Sequence, residues 1–299
     1  MDEIEKSIKD KNFVQQYSTL VKAGDFAGAI DLLKSRSGYY KDNPENRKLG
    51  RVGMRYGGST KEESILSKDT QSRYFKNGEW DKERVKRVHE PIIKEYLDKA
   101  KPQKEPVATL MMGAPASGKG TVLRYLKESG KIKDEGVPVD PDEIKTEKIP
   151  EYKKYVEYDK KFASSKVHEE GSYLAKVVIN KLTGIKSNLI IDKVFPEYNK
   201  LLKQIDVLKN SGYKVRVIYV SIDDYKEAYK RMLARGERTD RFVREDYFRW
   251  AHQNVPKAFR KLVENLPEGV SVEKYDNNVG RGELPKLVES YGTGKKEKV

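Results

Sequence analysis

The pattern of apolar and polar positions changes character once along the chain. Before Pro106 the apolar residues recur at helical spacing. Phe13, Tyr17, Leu20 and Val21, then Phe26, Ile30 and Leu33, predict two short amphipathic helices. Residues 37–59 are rich in Gly, Asn, Asp and Arg, and the spacing of Thr60 and Glu63 fits a capping box that opens another helix. Asn77-Gly78 marks a turn. Val85, Val88, Ile92, Ile93, Tyr96 and Leu97 then predict a longer helix over residues 80–97, kinked at Pro91. No strand is expected in residues 1–100. The chain therefore begins with an all-helical N-terminal module, assigned to residues 1–79, and residues 101–106 read as a linker.

After Pro106 strands and helices alternate. Apolar runs at 107–112, 137–139, 188–191, 213–220 and 270–275 predict five strands, and helical patterns fill the gaps at 159–182, 197–210, 225–233 and 244–266. This order implies an α/β fold on a five-stranded, mainly parallel sheet flanked by helices, with right-handed crossovers. Ligands of such sheets sit beyond the carboxyl ends of the strands.

Composition narrows the chemistry. The 299 residues contain no Cys and only three dispersed His, which excludes disulfides, thiolate metal sites and a Cys nucleophile and speaks against a His-built metal centre. No apolar run approaches the ~20 residues of a membrane span, and the charged start lacks a signal-peptide core. A cytoplasmic location in a bacterial or phage-infected cell, without membrane contact, is expected. The net charge of +14 admits nucleic acid as a partner. Its even spread favours a lysine-rich solvated surface instead. Residues 292–299 read as a short disordered basic tail.

The strongest local signal follows the strand at 107–112. Gly113-Ala114-Pro115-Ala116-Ser117-Gly118-Lys119-Gly120-Thr121 carries a phosphate-binding loop between an apolar strand and a helix. Its glycines allow backbone N–H groups to wrap phosphates, Lys119 reaches the β- and γ-phosphates, and the helix N-terminus adds its positive end. Position 120 is Gly where most such loops place a magnesium-binding hydroxyl, and Thr121 is better situated for the α-phosphate. Magnesium on ATP then needs a carboxylate from a neighbouring strand end.

Two strand ends offer one. Asp140-Pro141-Asp142-Glu143 follows the second strand; one aspartate can cap the next helix while the other acts as base for an attacking hydroxyl, with Asp142 preferred. Asp192 ends an apolar strand, placed to order magnesium-bound water or to grip the acceptor. Farther on, Lys230, Arg231, Arg235, Arg238, Arg241 and Arg244 crowd into a short stretch suited to a lid that neutralises the transferring phosphoryl group.

With these parts in order, residues from about 80 to 250 resemble the zeta toxin family of P-loop kinases, whose best-known members are UDP-N-acetylglucosamine kinases. The resemblance rests on the loop, on Val139-Asp140-Pro141-Asp142-Glu143-Ile144 with Ile149-Pro150-Glu151-Tyr152, on His168-Glu169-Glu170, and on Asn188 to Asp192. Ser211-Gly212-Tyr213 and Asp240-Arg241-Phe242-Val243 complete it. Residues 80–89 also resemble the helix before the loop in many zeta-like proteins, phage-borne ones included. The resemblance sets the family domain at 80–291. It implies Lys119 on the phosphates, Asp142 as base and two lid arginines, Arg241 as the second and Arg231 or Arg235 as the first. It also implies an antitoxin partner, for which residues 1–79 are a candidate in cis. The chain has Asp192-Lys193-Val194 where the sugar-nucleotide kinases have Glu-Gly-Thr. The loop and Ile191-Asp192-Lys193-Val194-Phe195-Pro196 also resemble adenylate kinase. The expected activity is transfer of the γ-phosphoryl of ATP to a hydroxyl of a nucleotide or nucleotide sugar. A nucleoside monophosphate or polynucleotide kinase is the enzymatic alternative. A phage nucleic-acid- or virion-binding protein with regulatory nucleotide binding is the alternative of another class.

Overall fold

The computed structural model divides the chain into two compact units, Met1–Ser64 and Ile65–Val299. The structure describes residues 66–132, 136–160, 162–280, 283–292 and 295–297. The helices expected within residues 1–64 and the capping box at Thr60 and Glu63 lie outside the described residues.

The five expected strands all form, with ends within two residues of expectation: β1 (Val107–Met112), β2 (Val137–Val139), β3 (Leu189–Lys193), β4 (Lys214–Ser221) and β5 (Val270–Asp276). They lie parallel in the order β2-β3-β1-β4-β5. Two further strands, β6 (Lys286–Gly292) and β7 (Lys295–Glu297), add antiparallel beyond β5. The sequence placed Lys295–Glu297 in a disordered tail. Lysine-rich edge strands carry no apolar alternation to announce them. At the opposite edge β2 tolerates Pro138, because an edge strand has one side free of ladder bonds.

Central β1 is buried on both faces, which is why its sequence is continuously apolar. Side-chain alternation sends Leu110, with Ile191, Val217 and Val272, into the larger core. Met111, with Ile190, Ile218 and Val220, faces the smaller one. The flanking helices are α1 (Glu90–Leu97), α2 (Lys119–Glu128), α3 (Tyr152–Asp159), α4 (His168–Ile185), α5 (Tyr198–Asn210), α6 (Tyr225–Thr239) and α7 (Glu245–Glu264). The single helix expected over residues 159–182 is interrupted. Fully buried Val167 leaves the helical region (φ −117°, ψ 6°) immediately before α4, so packing overrides local propensity there.

Residues 66–106 belong to this body. Asn77 (φ 55°) and Gly78 (φ 85°) form a two-residue turn joining Phe75–Lys76 to Glu79–Trp80, a small hairpin where no strand was expected. The helix that follows widens into a π turn at Val85–His89, where the Glu90 N–H reaches the Val85 carbonyl. The widening precedes Pro91, which cannot donate and whose ring needs room against the preceding turn. Val88, Ile92 and Tyr96 enter the larger core. The expected linker is pinned as well: Gln103 N–H donates to Lys186 O (3.0 Å) and Val107 N–H to Asn188 Oδ1 (2.8 Å).

A buried ion network ties this segment down. Arg84, 6% exposed, donates to Glu170 at 2.7 and 2.9 Å and to Glu151 at 2.7 and 2.8 Å. His89 Nε2 lies 2.8 Å from Glu170 Oε1, and Tyr74 Oη donates to Glu151 Oε1 at 3.0 Å. Burial pushes the Glu170 carboxyl up, but its bonds from His89 and Arg84 outweigh burial and hold it at about 2.

Candidate active site at the phosphate-binding loop

The loop runs from the end of β1 into α2 and is braced from behind. Gly118 takes φ +88°, and a Cβ there would fall 2.0 Å from Asn277 Nδ2. Both the backbone conformation and the close approach require glycine. Asn277 Nδ2 donates to Ser117 O (2.8 Å), while the Asn277 N–H bonds to Ser221 O (3.0 Å) at the end of β4. On the other side His252 Nε2 lies 3.0 Å from Pro115 O, with the ring nitrogen assigned as donor. Burial lowers the His252 pKa, the Pro115 bond opposes this, and the Lys119 charge lowers it further.

Lys119 Nζ donates to Gly113 O (3.0 Å) and lies 3.6 Å from Asp192 Oδ1. The register opposing Met111 of β1 to Asp192 of β3 brings that carboxylate beside the loop. The tip of β2 supplies the other acids. Asp140 caps the turn Pro141–Glu143 by accepting the Asp142 N–H (2.8 Å), which leaves the Asp142 side chain free for an ion pair with Lys145.

The three carboxyls are shifted in different directions. Asp192 is pushed up to about 6 by burial; Lys119 pulls against this, and the charges of Asp140 and Asp142 add to it. Asp140 is raised by burial and by Asp142. Burial also pushes Asp142 up, but Lys145, with Lys119 and Arg235, outweighs it and holds this carboxyl at about 2. Asp142 is the dependable anion of the three.

The arginine stretch lies along α6 and the loop before α7. Arg231 is fully engaged: Nε donates to Glu227 (2.9 Å), and its terminal nitrogens to the carbonyls of Asn277 (3.3 Å) and Val279 (3.0 Å). Arg235 lines the cleft with a buried Nε that has no hydrogen-bond partner among the described residues. Arg241 pairs with Glu147, and Arg244 with Asp246.

All the candidate residues except loop members Gly113, Ala114 and Ser117 and, in the basic stretch, Lys230 line one cleft of about 2150 Å³, which continues past Asp142 to Lys176, Lys193, Lys203, Tyr247 and Trp250. One small ligand needs ~300–1,000 Å³, so the cleft has room for two substrates. Among the described residues no group of three or more His, Asp or Glu is arranged to hold a metal. No helix of the described residues is long and apolar enough to cross a membrane. Sequence reasoning missed Lys145, His252 and Asn277. Only Lys145 carried a signal, its three-residue spacing from Asp142 on one helical face.

A parallel sheet ordered β2-β3-β1-β4-β5, with a phosphate-binding loop after its central strand and acids at the tips of β2 and β3, defines a P-loop kinase. Residues 93–281 match the zeta toxin family, and the chain belongs to that family. The solved PezAT chromosomal toxin–antitoxin system of Streptococcus pneumoniae is 20% identical, with a TM-score of 0.54 over 67% of this chain and 79% of that one. The AvrRxo1-ORF1:AvrRxo1-ORF2 complex is 18% identical, with a TM-score of 0.59 over 77% and 79%. Its structure with ATP gives 17% and 0.58 over the same shares. At such identities the likeness speaks for the fold. No curated protein matches the chain.

Proposed function

We propose that this phosphotransferase moves the γ-phosphoryl of ATP to a hydroxyl of a nucleotide or nucleotide sugar. The observation that carries the reading is the convergence of Lys119, Asp142 and Arg235 on one cleft. Lys119 binds the β- and γ-phosphates, and the loop N–H groups with the α2 N-terminus hold the rest of the chain of phosphates. Asp142, ionised throughout the neutral range, accepts the proton of the attacking hydroxyl. Arg235 and Arg241 stabilise charge on the transferring group. Arg231 is spent on the segment behind the loop, so Arg235 takes the first lid position.

Magnesium suits this donor set. It is held by one or two carboxylates with water and phosphate oxygens, and Asp140 and Asp192, both raised chiefly by burial and then by neighbouring carboxylates, are the residues that would hold it. When bound, it neutralises phosphate charge.

The acceptor end favours an anionic substrate. Lys176 and Lys193 line it without an ion-pair partner among the described residues, and the Lys193 pKa is lowered by burial and by the charge of Lys176. A phosphate on the acceptor would neutralise both. The neighbouring PezAT and AvrRxo1 assemblies pair two proteins; an inhibitory partner, in trans or supplied by the N-terminal unit Met1–Ser64, is proposed here as well.

The test is labelled ATP offered with UDP-N-acetylglucosamine, nucleoside monophosphates, dinucleotides and oligonucleotides. Label is expected on a phosphate-bearing small molecule, and Lys119→Ala and Asp142→Ala should each abolish it while leaving the fold intact. Label only on an oligonucleotide end would replace this reading with a polynucleotide kinase. An Asp142→Ala protein of normal activity would remove the base assignment.

A further inference from the structure

Lys145 is a cation buried to 6% exposure, in the π turn Ile144–Lys148 that follows Asp142. A buried lysine persists only when paired. Its Nζ has two partners facing the cleft: the Asp142 carboxylate, and His168 Nδ1 at 3.4 Å. His168 lies at the start of α4. Its pKa is lowered by burial and by Lys145, so the ring is neutral and Nδ1 accepts.

The stem of Lys145 runs across the first turn of α4 over Gly171. A Cβ on Gly171 would stand 2.3 Å from Lys145 Cγ and 3.4 Å from its Cβ and Cδ. Glycine within a helix is less favourable than alanine. The side-chain-free surface at 171 is what lets the lysine lie flat. The slot is rigid, because the adjacent Glu170 is fixed by Arg84 and His89.

We propose that Lys145 is a positioning residue which, seated on Gly171 and anchored by His168, holds the Asp142 carboxylate in place for the acceptor hydroxyl. This rests on the reading of Asp142 as the base. No bond to substrate is assigned to Lys145. Its effect passes through Asp142, and a displacement of about 1 Å at such a group can cost ~100-fold in rate.

Steady-state ADP release from ATP tests it, with UDP-N-acetylglucosamine or water as acceptor. Lys145→Met should lower kcat by about 100-fold with the KM for ATP unchanged. Gly171→Ala, which removes no charge, should act in the same direction and add nothing to Lys145→Met. Lys145→Met should likewise add nothing to Asp142→Asn, because groups acting as a unit are non-additive. If Lys145→Met fails to fold, Gly171→Ala carries the same reading. Wild-type kcat in the folded variants, additive losses, or a raised acceptor KM with kcat intact would each overturn the proposal. Asp142→Asn with full turnover would instead sink the base reading, whereas an inactive Asp142→Asn beside a fully active Lys145→Met would sink this inference alone.

Discussion

Asp192 shows what the site costs the fold. Its carboxyl is raised to about 6 from an ordinary 3.8, chiefly by burial. A group whose folded-state pKa is raised contributes stability below its unfolded value and loses that contribution as pH rises through the folded one. Near pH 7.5 an ionised Asp192 therefore destabilises the nucleotide-free protein. Asp192→Asn should melt higher than the wild type at pH 7.5, by the equivalent of about 1–3 kcal/mol, and the gap should close by pH 4. A lower melting point at pH 7.5 would show that the Lys119 contact outweighs burial. The arginines make a second contrast at this scale. Arg235→Ala should lower kcat by ~100-fold or more, as loss of a charge-stabilising donor does. Arg231→Ala should mainly loosen residues 277–280, read as weaker ATP binding. The reverse pattern would return Arg231 to the lid.

Between elements, the decisive joint is the one that Arg84 makes to α4 and to Glu151 just before α3. Removing one partner of a buried ion pair costs about 3–5 kcal/mol, because the other charge stays buried and unpaired. Arg84→Ala should lose that much in denaturant unfolding; a loss below 1 kcal/mol would mean that water reaches Glu170. Glu170 sets the pH dependence. With a folded pKa of about 2 against 4.5, its contribution is complete above 4.5 and disappears as pH falls through 2, so the deficit of Glu170→Gln at pH 7 should shrink below pH 4. The sequence showed the helices that carry Arg84 and Glu170, but neither α3 nor the joint itself. The loop, the cap at Asp140 and the acid at Asp192 are legible because each is written in consecutive residues. Asn277 meets Ser117 across 160 residues and His252 meets Pro115 across 137, and no local pattern records such meetings. The break before α4 escaped for a related reason, since Val167 is drawn into the core by contacts distant in sequence.

For the whole molecule the sequence marks its sharpest compositional change at Pro106, and the family match begins at residue 93, yet neither is a physical boundary. The helix ending at Leu97 delivers Val88, Ile92 and Tyr96 to the larger core. Cutting at 93 removes Arg84 and His89 and strands Glu170 in the interior, and stopping at 281 discards β6, which covers the β5 edge. The compact unit Ile65–Val299 keeps all of these. A chain of residues 65–299 is therefore expected to unfold cooperatively and to bind ATP, whereas residues 93–281 should be insoluble or bind ANS in the manner of a loosely packed state. Equal stability of the two would show that the Arg84 joint and β6 are dispensable. The same 65–299 chain decides the place of the N-terminal unit: higher ATP turnover than the full chain would support inhibition in cis, and unchanged affinity and turnover would end that idea.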